Sequence, residues 1–123
     1  MSDPKSYTAS CHCGSIRLSF ATPTPIEETG VVSCNCSICH INGYLHTRVN
    51  AADITFESDG DALKEYRFGS RNYPHYFCGN CGTSVYVQCQ IPGTQSATSI
   101  NVRTIKGLDT KGLKVKEYDG KSL

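Results

Sequence analysis

Apolar side chains recur at every second position along much of the chain. In "SIRLSFAT", Ile16, Leu18 and Phe20 fall on one side of the backbone and Arg17 and Ser19 on the other. "TSVYVQCQI" keeps the same rhythm with Val85, Val87, Cys89 and Ile91. A period of two describes a strand with one face buried. Further strands are expected at 31–34, 44–49, 54–57, 63–68 and 98–102. Helical periodicity is nearly absent; "NAAD" ahead of Ile54 and the stretch 107–112 read as short helical turns. Turn chemistry separates the strands, with "TPTP" at 22–25, "SDGD" at 58–61, "GSRNYP" at 69–74 and "IPGT" at 91–94. The pattern predicts one all-β domain over residues 1–123, mainly antiparallel β with short helical turns. Its turns would carry most of the cysteines.

Charge adds an exclusion. A formal net charge of +1 offers no electrostatic drive toward nucleic acid. The basic segment 103–121 is interrupted by Asp109, Glu117 and Asp119 and reads as a solvated face. The N-terminus "MSDPKSYTAS" lacks the apolar core of a secretory signal, and no apolar run nears the roughly 20 residues that span a bilayer. The expectation is a cytoplasmic or nuclear protein with no membrane partner. In that reducing setting eight cysteines in 123 residues point to metal before disulfides. A core this small also gains from a staple.

The cysteines form three clusters: Cys11 and Cys13 in "CHCG", Cys34, Cys36 and Cys39 in "CNCSIC", and Cys78 and Cys81 in "CGNCG". The last resembles a zinc knuckle, with Gly79 and Gly82 easing the turn. A knuckle supplies two thiolates, whereas a closed structural zinc takes four. The missing pair comes either from Cys11 and Cys13 or from two of the middle three. The first choice leaves Cys34, Cys36 and Cys39 with an open fourth position, the ligand count of a catalytic zinc. Against it stands closure of the middle site by His40, His46 or Cys89. Cys89 is in phase with Val85 and Val87 and reads as a small core hydrophobe. A redox role for 78–81 is disfavoured because no βαβ pattern surrounds it.

The stretches "CHCGSIRLSF", "SCNCSICHINGYL", "YFCGNCGTSVY" and "INVRTIKGLDTKGLKVKEYDGK" together resemble the glutathione-dependent formaldehyde-activating enzyme family, which includes centromere protein V. The resemblance implies an antiparallel β fold with two zinc ions per chain. It places a structural ion at Cys11, Cys13, Cys78 and Cys81 and the ion of catalysis at Cys34, Cys36 and Cys39. It further implies a carbon–sulfur lyase with glutathione as co-substrate and S-hydroxymethylglutathione as product. Many members carry a basic residue where this chain has His40.

Zinc is thiophilic, so three thiolates and an open position suit a thiol substrate better than water. His40 and His46 are the candidate proton carriers, each weighed against an ordinary hydrogen-bonded histidine. His12 belongs with the structural loop, and His75 either lines a pocket or packs ahead of the knuckle. Arg48, Arg67 and Arg71 are candidate forks for the carboxylates of glutathione, with Arg71 favoured because it sits in a loop. Tyr44 and Tyr73 are candidate pocket walls, and Asn42-Gly43 a turn behind the metal. Two other readings stay open. One is a non-catalytic zinc module for a protein or chromatin partner; the other is an enzyme of the same kind acting on another thiol conjugate.

Overall fold

The computed structural model describes residues 3–58, 60–90 and 97–122. In chain order the elements are β1 (Lys5–Ser10), β2 (Arg17–Thr22), α1 (Ile26–Thr29), β3 (Val31–Cys34), α2 (Ser37–Asn42), β4 (His46–Asn50), β5 (Ile54–Ser58), β6 (Leu63–Tyr66), β7 (His75–Cys78), β8 (Ser84–Cys89), β9 (Ala97–Asn101) and β10 (Val115–Tyr118). Two sheets result. The smaller has the order β1-β2-β5 and the larger β10-β3-β4-β9-β8-β7-β6. All pairings are antiparallel except β10 with β3. The expected all-β class is the observed one.

The alternation read in the sequence becomes the core. Leu18 from the smaller sheet, Val85 and Ile100 from the larger, and Ile16, Ile26 and Val102 from the connections are fully buried in one cluster. Phe56 on β5 packs its ring 5.6 Å from that of Tyr86 on β8 and so joins the two sheets. Helix α1 is held to β1 by a polar knot. Tyr7 donates its hydroxyl to Glu27 Oε1 at 2.6 Å and accepts from the Ile26 amide at 2.8 Å, while Lys5 Nζ meets Glu27 Oε2 at 2.6 Å.

The differences from the sequence reading have local causes. "NAAD" does form a helical turn, at Ala51–Asp53, but 107–112 is turn and bend. Strand β1 carries only Tyr7 and Ala9 inward, too few apolar positions to signal a strand. Strand β7 is four residues long, and β10 is an edge strand with every residue exposed, so neither shows alternation. Helix α2 is six residues, shorter than two turns. Ile91 and the turn expected at 91–94 lie outside the described residues, as does position 59 of the 58–61 turn. Cys89 shares the face of Val85 and Val87 but is only half-buried and stands outside the core cluster. Among the described residues no helix is long and apolar enough to cross a membrane.

Three outcomes follow for stability. Leu18→Ala removes a fully buried side chain and should cost about 2–5 kcal/mol by chemical denaturation. Ile41→Ala, at a side chain 80% exposed, should stay within about 0.5 kcal/mol. The Lys5 ammonium and then the Tyr7 hydroxyl pull the Glu27 carboxyl from 4.5 to about 2. The folded-state value is depressed, so the stabilisation is present above pH 4.5 and fades as pH falls toward 2. Glu27→Gln should flatten that part of the stability–pH curve and leave the part around neutrality with a constant offset.

Candidate metal centres

The hairpin loop between β1 and β2 presents Cys11 and Cys13, and the turn from β7 to β8 presents Cys78 and Cys81. Their four sulfurs lie within 4.8 Å of one another. Cys13 Sγ stands 3.7 Å from both Cys11 Sγ and Cys78 Sγ. Zn–S bonds of about 2.3 Å at tetrahedral angles give an edge of about 3.8 Å, whereas a disulfide needs about 2.05 Å. Soft thiolates at that spacing fit a zinc ion.

Local backbone geometry aims these sulfurs. The amides of Ile16, Asn80 and Cys81 point at cysteine sulfurs, the first at Cys11 Sγ (3.2 Å) and the others at Cys78 Sγ (3.4 Å each). Gly82 closes the knuckle with φ +82 and donates its amide to Cys78 O at 2.8 Å. Gly79 serves differently, because a Cβ there would come within 2.8 Å of Lys64 Cγ. The Thr83 hydroxyl, 3.2 Å from Cys81 Sγ, leads the hydrogen bonds that pull this thiol down to about 5. Ser15 and then Asn80 pull Cys13 down to about 7. His12 belongs to the same loop, its amide donating to Thr83 Oγ1 at 3.2 Å.

The middle cluster is built at the junction of β3 and α2. Cys34 ends the strand, Cys36 caps the helix and Cys39 lies one turn further, on the same side as Cys36. Gly43 terminates α2 in the left-handed region at φ +65, where the Asn42-Gly43 turn was expected. The three sulfurs lie within 4.8 Å of one another, and among the described residues no further histidine, cysteine or carboxylate joins the group. Burial, followed by the neighbouring Cys36 and Cys34 thiols, pushes the Cys39 thiol up. Cys36 shifts down despite the opposing cost of burial, because the Cys39 amide and the neighbouring thiols stabilise its thiolate. Three thiolates coexist here only with a cation among them.

Beside this cluster lies a row of rings. His46 Nε2 is 3.4 Å from Cys39 Sγ. Ring centroids then run from His46 to Tyr44 (4.8 Å), Tyr44 to His75 (6.0 Å), His75 to Phe68 (5.6 Å) and Phe68 to Tyr66 (5.7 Å). The first three are buried and the last two reach the surface. Burial and then His75 press the His46 imidazole down to about 4, and burial also lowers His75. The Nδ1 atoms of both are buried without a hydrogen-bond partner. Burial raises the Tyr44 phenol, opposed by the Ser84 and Asn42 side chains. Phe68 and Tyr66 escaped the sequence reading, since an aromatic pair in an exposed strand end carries no chemical motif.

The remaining candidates are scattered. His40 is exposed at the end of α2. Arg48 is exposed on β4 and lines a cleft with Thr22, Asp53 and Ala97 that contains no cysteine. It shares the sheet face of His75 through the pairings Arg48↔Ser99, Ser99↔Val87 and Val87↔His75. Arg67 is engaged by Glu65 Oε2 (3.3 Å) and by the carbonyl of Arg71 (3.0 Å). Arg71 is exposed with φ +65, and Tyr73 is exposed in the same loop.

These features define a small β protein with two thiol clusters, each able to hold a metal ion. The family model described as glutathione-dependent formaldehyde-activating enzyme matches residues 6–117. The chain belongs to that family. No curated protein matches the sequence at a significant level. A crystal structure of a Rhodobacter sphaeroides protein superposes with a TM-score of 0.78 at 23% identity, covering 90% of this chain and 99% of that one. At that identity the likeness concerns the fold.

The two clusters should differ on mutation. Cys81→Ser opens the four-sulfur group that joins the sheets, and should lower the thermal midpoint sharply and broaden the transition. Cys36→Ser should keep the fold and lose one metal equivalent. Metal counting paired with circular-dichroism melts checks both, and equal damage from the two would refute the division.

Proposed function

We propose that the protein is a zinc-dependent carbon–sulfur lyase acting on glutathione or a related thiol and a small electrophile such as formaldehyde. The observation that carries this reading is the unequal grouping of seven sulfurs into four and three. Cys11, Cys13, Cys78 and Cys81 are assigned to a closed structural zinc, and Cys34, Cys36 and Cys39 to the zinc of catalysis. Cys34, Cys36 and Cys39 would hold the ion, and a zinc ion there would favour the thiolate form of a thiol substrate.

In this reading the substrate sulfur attacks the carbonyl carbon and a C–S bond forms. The carbonyl π electrons end on oxygen, which takes up the proton that the thiol gave. His46 is assigned the relay of that proton. It is uncharged at neutrality, with Nε2 at Cys39 Sγ and Nδ1 without a partner. Tyr44 and His75 wall the space and exclude water. Arg48 and Arg71 are exposed cations available to the substrate carboxylates, and His40 is a second proton carrier at the rim.

The exposed pair Tyr66 and Phe68, with Tyr73, favours a second reading in which the domain is a zinc module that docks a protein partner. A zinc-edge spectrum with and without glutathione separates the two. A fourth sulfur at the middle ion, together with formaldehyde-dependent formation of S-hydroxymethylglutathione, is the expected result. An unchanged edge and no product would sink the lyase. A changed edge without product would move the assignment to another thiol conjugate. His46→Gln should lower kcat by about 10²–10⁴ with little change in bound zinc.

A further inference from the structure

The middle cluster is covered by a segment just beyond the span matched by the family model, which ends at residue 117. Strand β10 runs parallel to β3 and sets Tyr118 opposite Cys34. The chain then turns across Asn35, the residue between Cys34 and Cys36. Asn35 donates its amide to Tyr118 O at 3.1 Å and its Nδ2 to Asp119 Oδ1 at 2.9 Å. Its Oδ1 accepts from the Lys121 amide at 2.8 Å. Three hydrogen bonds from one side chain and its backbone thus fix residues 118–121 over the loop.

Gly120 lies against the cluster. A Cβ added there would run into Cys34 Sγ, with Cys36 Cβ at 3.5 Å. Two sides of one contact are therefore matched, a residue without a side chain and a sulfur that needs the room. We infer that residues 118–121 form a strap whose contact at Gly120, held by Asn35, positions Cys34 for metal binding at the three-thiolate site. Gly120 and Asn35 act through Cys34 and touch no reacting atom, so they are positioning residues. The inference rests on the assignment of a zinc ion to Cys34, Cys36 and Cys39.

The test uses the intact chain loaded with zinc and titrated with a competing chelator, so that the two metal pools are read separately. Cobalt(II) substitution reports the thiolate geometry of the middle pool. Gly120→Ala should weaken that pool by about 10- to 100-fold and shift its cobalt spectrum, with the four-cysteine pool unchanged. Asn35→Asp sets two carboxylates face to face at 35 and 119 without changing volume, and should weaken the same pool. The double variant Asn35→Asp with Asp119→Asn restores a donor to that pair and should recover the affinity. A Gly120→Ala protein that holds the middle metal as tightly as the parent, or a double variant no better than Asn35→Asp alone, would overturn the strap. A parent protein with a single zinc pool would overturn the three-thiolate assignment itself, and the strap with it.

Discussion

The convergence of Cys11 and Cys13 with Cys78 and Cys81 is the constraint on which the rest of the molecule depends. It brings the turn of one hairpin against the turn of another across 65 residues of sequence, from Cys13 to Cys78. The two sheets otherwise meet through one modest core and the Phe56–Tyr86 contact. Closing so long a loop removes chain entropy that a small hydrophobic core offsets only in part. The amides around Cys11 and Cys78 are spent on sulfur, and that arrangement favours thiolates gathered on a cation.

The middle cluster stands in a different physical setting. Cys39 is buried beside His46 and the Cys36 and Cys34 thiols, where an uncompensated negative charge is costly. His46 and His75 are kept neutral by the same desolvation. Neither histidine therefore supplies compensating charge, and a cation bound there would be the dominant local charge. The ring row runs from buried His46 to exposed Tyr66. The two groups thus differ in the number of sulfurs and in their neighbours: Cys11 and Cys78 belong to the hydrophobic core cluster, whereas Cys39 lies beside His46.

Much of this was legible in one dimension. Strands β2, β3, β4, β5, β6, β8 and β9 were located from the sequence, and the alternation is clearest in β2, where Leu18, Phe20 and Thr22 are buried. Strand β10 was invisible for the converse reason: all of its residues are exposed, and its place beside β3 comes from backbone pairing alone. Helix α2 was hidden by its length, although its start at Cys36 and its stop at Gly43 set the direction of Cys39. The cysteine spacing announced metal chemistry directly, because donor type and short separations are local properties. His46 stood out only by proximity in sequence to that cluster, whereas His75, 36 positions beyond Cys39 by numbering, reaches the neighbouring Tyr44 ring through the place of β7 in the larger sheet.

By itself the sequence determined the fold class and the cysteine clusters, and narrowed the pairing of the thiol-bearing turns. These follow from periodicity and from the small menu of ligands that a soft cation accepts. Tertiary structure decided what surrounds each sulfur: the burial of Cys39, the ring row, the engagement of Arg67, and the fit of Gly120 against Cys34. Such contacts join residues far apart along the chain. Their energies depend on distances of a few ångströms, which composition and spacing do not encode.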